Sequence, residues 1–398
     1  MVAWLVLVSV QAQALSFEEA LRLADASPAL TAASAAIEQR RALAEQVPWL
    51  TGNPSLILQP GGRRTAQGSA GPELYVGVTQ DVSLAGAGAS RRAAALAEVD
   101  ADRLERHALA RAVRLNTAQA WLSLWAAQDS LRAVREELAL ATEWQNKVLK
   151  GAEASGFTRV DVAVANAYHA EAHLAALSLE GEVFARGVAL NRALARDALA
   201  PAIVTATLPV LEIPRHDDAQ VLATSSDAAP VKTASAHVEA ERARGHELEA
   251  ARGTSLQVGA LGWREGTGDL AAVATLQLTL PAFERAQRER SANAAAIARA
   301  EGRATASLAE ERAERLDALH EVEHSAEVLH VTEVELVPAA QIALDGLQRR
   351  FDAGETTAQE LVLARRALVA ARARLARARA DVAWARFRLS TLITEVSR

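Results

Sequence analysis

The 398-residue sequence contains no cysteine, and only 4% of its residues are aromatic. The first absence excludes a disulfide framework, thiolate metal sites and a lipid-modified N-terminal cysteine. A basic excess is also missing. The formal net charge is -6, with arginines offset by acids on the same predicted helices, so nucleic acid finds no electrostatic footprint and is not an expected partner. No GxSxG, P-loop or dinucleotide fingerprint occurs, and the acids are spread at helical spacing as on solvated faces, so no enzyme, cofactor or metal is expected. Beyond the N-terminus no stretch is long and apolar enough for a transmembrane helix, which leaves strands as the only means of crossing a bilayer.

What is present is the composition of long-helix proteins: 50% hydrophobic and 23% charged, rich in Ala, Leu, Arg and Glu. Residues 1–14, MVAWLVLVSVQAQA, form a short apolar run ending in Ala12-Gln13-Ala14, which predicts a signal peptide cleaved after Ala14. The strongest periodicity lies at the other end. Leu361, Leu368, Leu375, Val382 and Leu389 recur every seven residues, and Ala364, Ala371, Ala378, Ala385 and Leu392 follow each by three. This is a seam narrow enough for close helix approach, with Arg365, Arg366, Arg372, Arg374, Arg377, Arg379, Arg386 and Arg388 assigned to the outer face. Just before it, Gly354 suits a left-handed turn, and Thr357 with Glu360 forms a capping box.

The chain reads as two copies of one plan: helix, two strands, long helical hairpin. The openings PALTAASAAIE at Pro28 and PVKTASAHVE at Pro230 match with one gap. The first repeat is placed at 15–198, with strands at 55–59 and 74–84 around a polar loop Pro60–Pro72, and a hairpin at 90–196 turning at Ala154-Ser155-Gly156-Phe157-Thr158. A proline-bearing connector spans 199–229. The second repeat, 230–398, has strands at 255–263 and 271–280 and a hairpin at 285–392. Four strands cannot close a barrel, and an open sheet leaves edges that lipid does not tolerate, so several chains must pool theirs. Three chains give twelve strands, above the minimum of about eight for a transmembrane barrel. The rival is an exported coiled-coil scaffold or stalk without a pore, which explains the heptads but not the paired strands. Two histidine pairs, His169 with His173 and His320 with His324, have a metal-gripping spacing but two ligands each, and are read as solvated.

The duplicated plan, the run Gly156 to Asp161 with Val162 and Ala165, the motif Phe351-x-x-Gly354 with Thr357, Glu360, Leu361 and Ala364, and Val337-Pro338-Ala339-Ala340 together resemble the TolC-like outer membrane efflux proteins. Asn53-Pro54-Ser55-Leu56 is similar to members of the CzcC type that serve metal-exporting pumps. The resemblance covers nearly the whole mature chain. It implies a mainly α fold with a small β part. It further implies a homotrimer with a twelve-stranded outer membrane barrel continued by a coiled-coil helical tunnel in the periplasm. Such a trimer contacts outer membrane lipid and receives substrate from a periplasmic adaptor and an inner membrane pump. Residue by residue, Glu360 matches the acid that narrows the closed tunnel, Phe351 an aromatic near the tip, and Asp161 the acid of the first hairpin, with Gly156 and Gly354 at the turns. The sequence departs from the pattern at Thr356, where arginine is usual, and at Leu363, where a second gate acid is usual.

Overall fold

The computed structural model describes residues 14–50, 52–64, 66, 68, 70–153, 156–214, 216–265, 268–283 and 286–394. Apart from Ala14, the expected signal peptide lies outside the described residues, as do Ala154 and Ser155 of the first hairpin turn. The elements are α1 (Phe17–Asp25), α2 (Pro28–Glu45), β1 (Ser55–Arg64), β2 (Ala70–Ser83), α3 (Ala87–Glu153), α4 (Arg159–Ala193), α5 (Asp218–Ala223), α6 (Ala229–Ala251), β3 (Ser255–Arg264), β4 (Leu270–Thr279), α7 (Gln287–His330), α8 (Val337–Asp352) and α9 (Ala358–Thr394). The chain is mostly helical with one small sheet, and helix, two strands and long helices occur in that order twice. No described helix is long and apolar enough to cross a membrane.

Two compact units form, one from Met1–Thr31, Leu109–Ala228 and Arg312–Arg398, the other from Ala32–Ala108 and Ala229–Glu311. The second contains the sheet, antiparallel throughout in the order β1-β2-β3-β4. Its helices hold together through a small apolar cluster of Ile37, Ala44 and Val99 and through ion pairs such as Arg40 with Asp102 at 2.7 Å. The first unit has the larger core. Phe17, delivered by the capping box of Ser16 and Glu19 that starts α1, lies edge-on to Trp121 at 5.4 Å and to Phe387 at 5.3 Å between ring centroids. Trp121 donates to the Leu15 carbonyl at 3.0 Å and Trp125 to that of Ala206 at 2.9 Å, so both indoles are buried with their N–H groups satisfied. Leu15 also bridges Val204 in parallel, tying the N-terminal segment to the stretch between α4 and α5.

Three expectations need correction. The run Pro60-Gly61-Gly62-Arg63-Arg64 is not loop but the second half of β1, paired from Pro60↔Leu74 to Arg64↔Ala70. Because β1 is an edge strand in this chain, a proline without an N–H is tolerated there. The helix leading to the second turn is not uniform either. A π turn at Val331–Leu336 separates α7 from α8, immediately before Pro338. Proline lacks the N–H that the preceding turn's carbonyl needs, and its ring crowds that carbonyl, so widening the helix relieves both. Finally, Arg365 and Arg388 are not on an outer face, for their side chains are only 16% and 17% exposed and bridge to other helices.

Candidate functional site

The two helical turns of the first unit are closed by different devices. At the first, the Gly156 N–H donates to the Gly151 carbonyl at 2.8 Å, and the Phe157 ring covers Gly151 so closely that a Cβ there would come within 2.5 Å of it. Thr158 then caps α4. Its N–H and hydroxyl donate to Asp161 Oδ2 at 2.8 and 2.7 Å, while the Asp161 N–H donates to Thr158 Oγ1 at 3.2 Å. The hydroxyl and then the backbone bond of Thr158 hold the Asp161 carboxyl below its ordinary range. At the second turn, Gly354 has φ +78°, its N–H donates to the Phe351 carbonyl at 2.9 Å, and the Glu355 N–H reaches back to Arg350 at 2.8 Å, a Schellman closure that requires a residue tolerant of positive φ. Phe351 is half-buried and Gly354 exposed. Thr357 and Glu360 form a looser box at 3.3 and 3.4 Å, and the Thr356 hydroxyl donates to the same carboxylate. Asp161 and Glu360 are therefore each engaged in their own cap, and no bond between them occurs among the described residues.

Behind the turns, α9 packs along α3 and α4. Val362 is buried with Ala141, Tyr168 and Ala172, against Leu138, Trp144 and Val164. Leu361, Leu368, Val382 and Leu389 are buried, Leu375 is half-buried, and the intervening Ala364, Ala371, Ala378, Ala385 and Leu392 are buried as well. The arginines of α9 are rungs to its neighbours. Arg365, Arg372 and Arg379, seven residues apart, donate to Gln348 and Gln341 at 3.2 Å each and to Glu333 at 2.5 Å, along the antiparallel arm. Arg366 pairs with Glu171, and Arg388 donates to both Asp317 and Glu321 at 2.8 Å. One rung is incomplete. Glu137 Oε1 lies 3.9 Å from Arg365 Nη1, and both atoms are buried without a hydrogen bond, so burial raises the Glu137 pKa despite the pull of Arg365 and Arg372.

In the second unit the strand alternation gives the sheet two chemically different faces. One carries Leu56, Leu58, Leu74, Val76, Val78, Val258, Leu276 and Leu278, all exposed. The opposite face carries Gln59, Glu73, Tyr75, Thr79, Asp81, Gln257, Trp263, Thr275 and Gln277, bonded across strands as in Gln257 to Asp81 at 3.0 Å. The stacked pair Tyr75 and Trp263, 5.9 Å apart, is not apparent from composition. Its only sequence signal is an aromatic at the same parity as the polar residues of each strand.

One string with catalytic precedent is present: His320-Glu321-Val322-Glu323-His324 has the H-E-x-x-H form. Its context does not suit a metallohydrolase. The Glu321 carboxylate that would act as base is bonded to Arg388, and no group of three His, Cys, Asp or Glu able to hold a metal exists among the described residues. The two imidazoles, exposed, stack 5.8 Å apart.

No family model and no curated protein matches the sequence. Solved structures do match. A membrane protein from Pseudomonas aeruginosa aligns over 95% of this chain and 90% of its own, with a TM-score of 0.72 at 17% identity. The outer membrane protein VceC from Vibrio cholerae aligns over 96% and 95%, at 0.69 and 17%. The CmeC outer membrane channel of Campylobacter jejuni aligns over 95% and 85%, at 0.70 and 15%. None of these likenesses favours the CzcC-type branch. With its described helices and four-stranded sheet, the chain has the fold of the TolC-like outer membrane channels.

Proposed function

We propose that this protein is the outer membrane channel of a tripartite efflux or secretion system, working as a homotrimer that receives substrate from an inner membrane pump through a periplasmic adaptor. The observation that carries this reading is the sheet: four antiparallel strands with one apolar and one polar face and with β1 and β4 as open edges. Lipid suits the apolar face, water the polar one, and only further strands can satisfy the edges. Three copies supply a twelve-stranded barrel of the width a wet lumen needs. The long helices then pool into a periplasmic tunnel, with the Gly156 and Gly354 turns, Phe351, Asp161 and Glu360 at its inner end. A charge-neutral closure is not available there, because Thr356 replaces the usual arginine and itself bonds Glu360. Three glutamates around one axis therefore repel one another.

Purified protein in mild detergent should run as a heat-modifiable trimer and conduct in planar bilayers. Glu360→Gln should weaken its cation selectivity. A monomeric mass in detergent, or release of the protein from membranes by a salt wash, refutes the channel and leaves the exported scaffold.

A further inference from the structure

The sheet's polar face carries a feature that barrel closure does not call for. Tyr75 and Trp263 are directly opposed across β2 and β3, their rings nearly parallel at 23° and half-exposed. Acids flank both. The Tyr75 hydroxyl donates to Glu73 Oε2 at 3.2 Å, and Trp263 Nε1 donates to Glu265 Oε1 at 3.4 Å. Arg63 pairs with Glu265 Oε2 at 3.3 Å, which compensates that carboxylate. Among the described residues no cation forms an ion pair with Glu73, and its Oε1 is buried without a hydrogen-bond partner. Gly61 lies directly opposite Glu73 on β1 and places no side chain beside it.

An aromatic shelf beside an uncompensated carboxylate has a definite chemical preference. The ring faces attract a cation through their quadrupoles, and a quaternary ammonium, which has no hydrogen to donate, gains most from such a surface. A bare anion is repelled by Glu73, and a neutral sugar would find few free donors. We infer that Tyr75, Trp263 and Glu73 form a binding shelf for organic ammonium ions at the end of the sheet that holds Arg64, Ala70, Arg264 and Leu270. The inference rests on the proposed channel only in that the polar face is then the lumen; cargo would meet the shelf as it leaves the strands.

The test is equilibrium dialysis of phenyltrimethylammonium against the purified full chain in a non-ionic detergent at low salt, with the uncharged solute benzyl alcohol as control. Saturable binding of the cation, weakened about tenfold by Glu73→Gln and by Trp263→Leu, is the expected result. Arg63→Gln, which frees Glu265, should strengthen it. Equal binding by wild type and both weakening variants means partition into the micelle and overturns the shelf, as does no binding at all. Should Trp263→Leu fail to fold by circular dichroism, Glu73→Gln decides alone. Conductance of the same preparation separates the two readings: a protein that conducts but does not bind retains the channel and loses the shelf, and one that binds without conducting does the reverse.

Discussion

The two arms of the second helical hairpin have opposite relations to the rest of the chain. On α9 more than a third of the positions are buried, among them Leu361, Leu368, Ala371, Ala385, Leu389 and Leu392. On α8 none is. Yet α8 is not polar: Ile342 is 70% exposed, and Val331 and Val334 of the preceding π turn are exposed too. Side-chain bonds from Arg365 and Arg372 to Gln348 and Gln341 link the arm to α9. Thus α9 is a spine that completes this chain's own core, whereas α8 keeps apolar side chains uncovered. In the proposed trimer, neighbouring chains would cover them.

The sharpest way to break this contrast is to place the same charge on each arm. Leu389 is fully buried beside Val221, Ala318 and Leu392, so Leu389→Asp strands an ion in an apolar cluster and should cost at least about 4 kcal/mol, enough to prevent folding. Ile342→Asp should leave the helical content unchanged and the stability of the chain within about 0.5 kcal/mol of wild type, while reducing the yield of trimer. Helicity by circular dichroism and mass in detergent read the two effects separately. Loss of fold in both variants, or loss of trimer in neither, ends the distinction between spine and open arm.

A smaller effect is expected at the rungs. Arg365→Ala leaves Glu137 buried with no neighbouring cation closer than Arg372, for about 3 kcal/mol of destabilisation, whereas Arg372→Ala, at a pair that is 43% and 63% exposed, should cost less than about 0.5 kcal/mol. The pH dependence gives the sign. Burial raises the folded-state pKa of Glu137 above its ordinary 4.5, so the folded state holds the proton more tightly and this group's contribution to stability declines as pH rises through that window. The Arg365→Ala deficit should therefore shrink as pH falls toward 4.5, because a protonated Glu137 no longer needs its partner. A deficit independent of pH, measured by denaturant unfolding, would show that lost packing of the arginine stem and not charge is responsible.

How far these features could be read beforehand depends on the range of the forces that set them. The caps at Ser16 with Glu19 and at Thr357 with Glu360 are local bonds written within four residues, and the helix starts they mark are where the chain turns helical. Strand alternation around Leu74 to Val78 and Leu276 to Leu278 is equally local. Pro60-Gly61-Gly62 misleads because its composition signals a turn, while its pairing partner lies across the hairpin and its edge position removes the penalty on proline. The outer-face assignment of Arg365 fails for a related reason: helix period gives its angle on α9, but Gln348 and Glu137 come from other helices. The Tyr75 and Trp263 pair joins strands almost two hundred residues apart, so no window along the chain contains it. At the proposed gate, local sequence accounts fully for Asp161 and Glu360 as cap acids, and any further role arises from symmetry between chains.

The finest comparison is between the two caps. Thr158 and Asp161 make a compact box supported by Phe157 on Gly151, while Thr357 and Glu360 make a longer one whose carboxylate is shared with Thr356. Thr158→Ala and Thr357→Ala should each cost about 1 kcal/mol, felt locally as fraying of the first turn of α4 or of α9. Acid should act through the first box in a known direction. The folded-state pKa of Asp161 is depressed below its ordinary 3.8, so its contribution is present above that value and disappears as pH falls through the lower, folded one. Amide exchange at Asp161 should therefore stay slow down to about pH 4 and accelerate below it, after correction for intrinsic rates, and Asp161→Asn should remove that acid step. If exchange in the Asn variant still accelerates at the same pH, the opening originates elsewhere in the hairpin and the Thr158 box is not what holds the first turn closed.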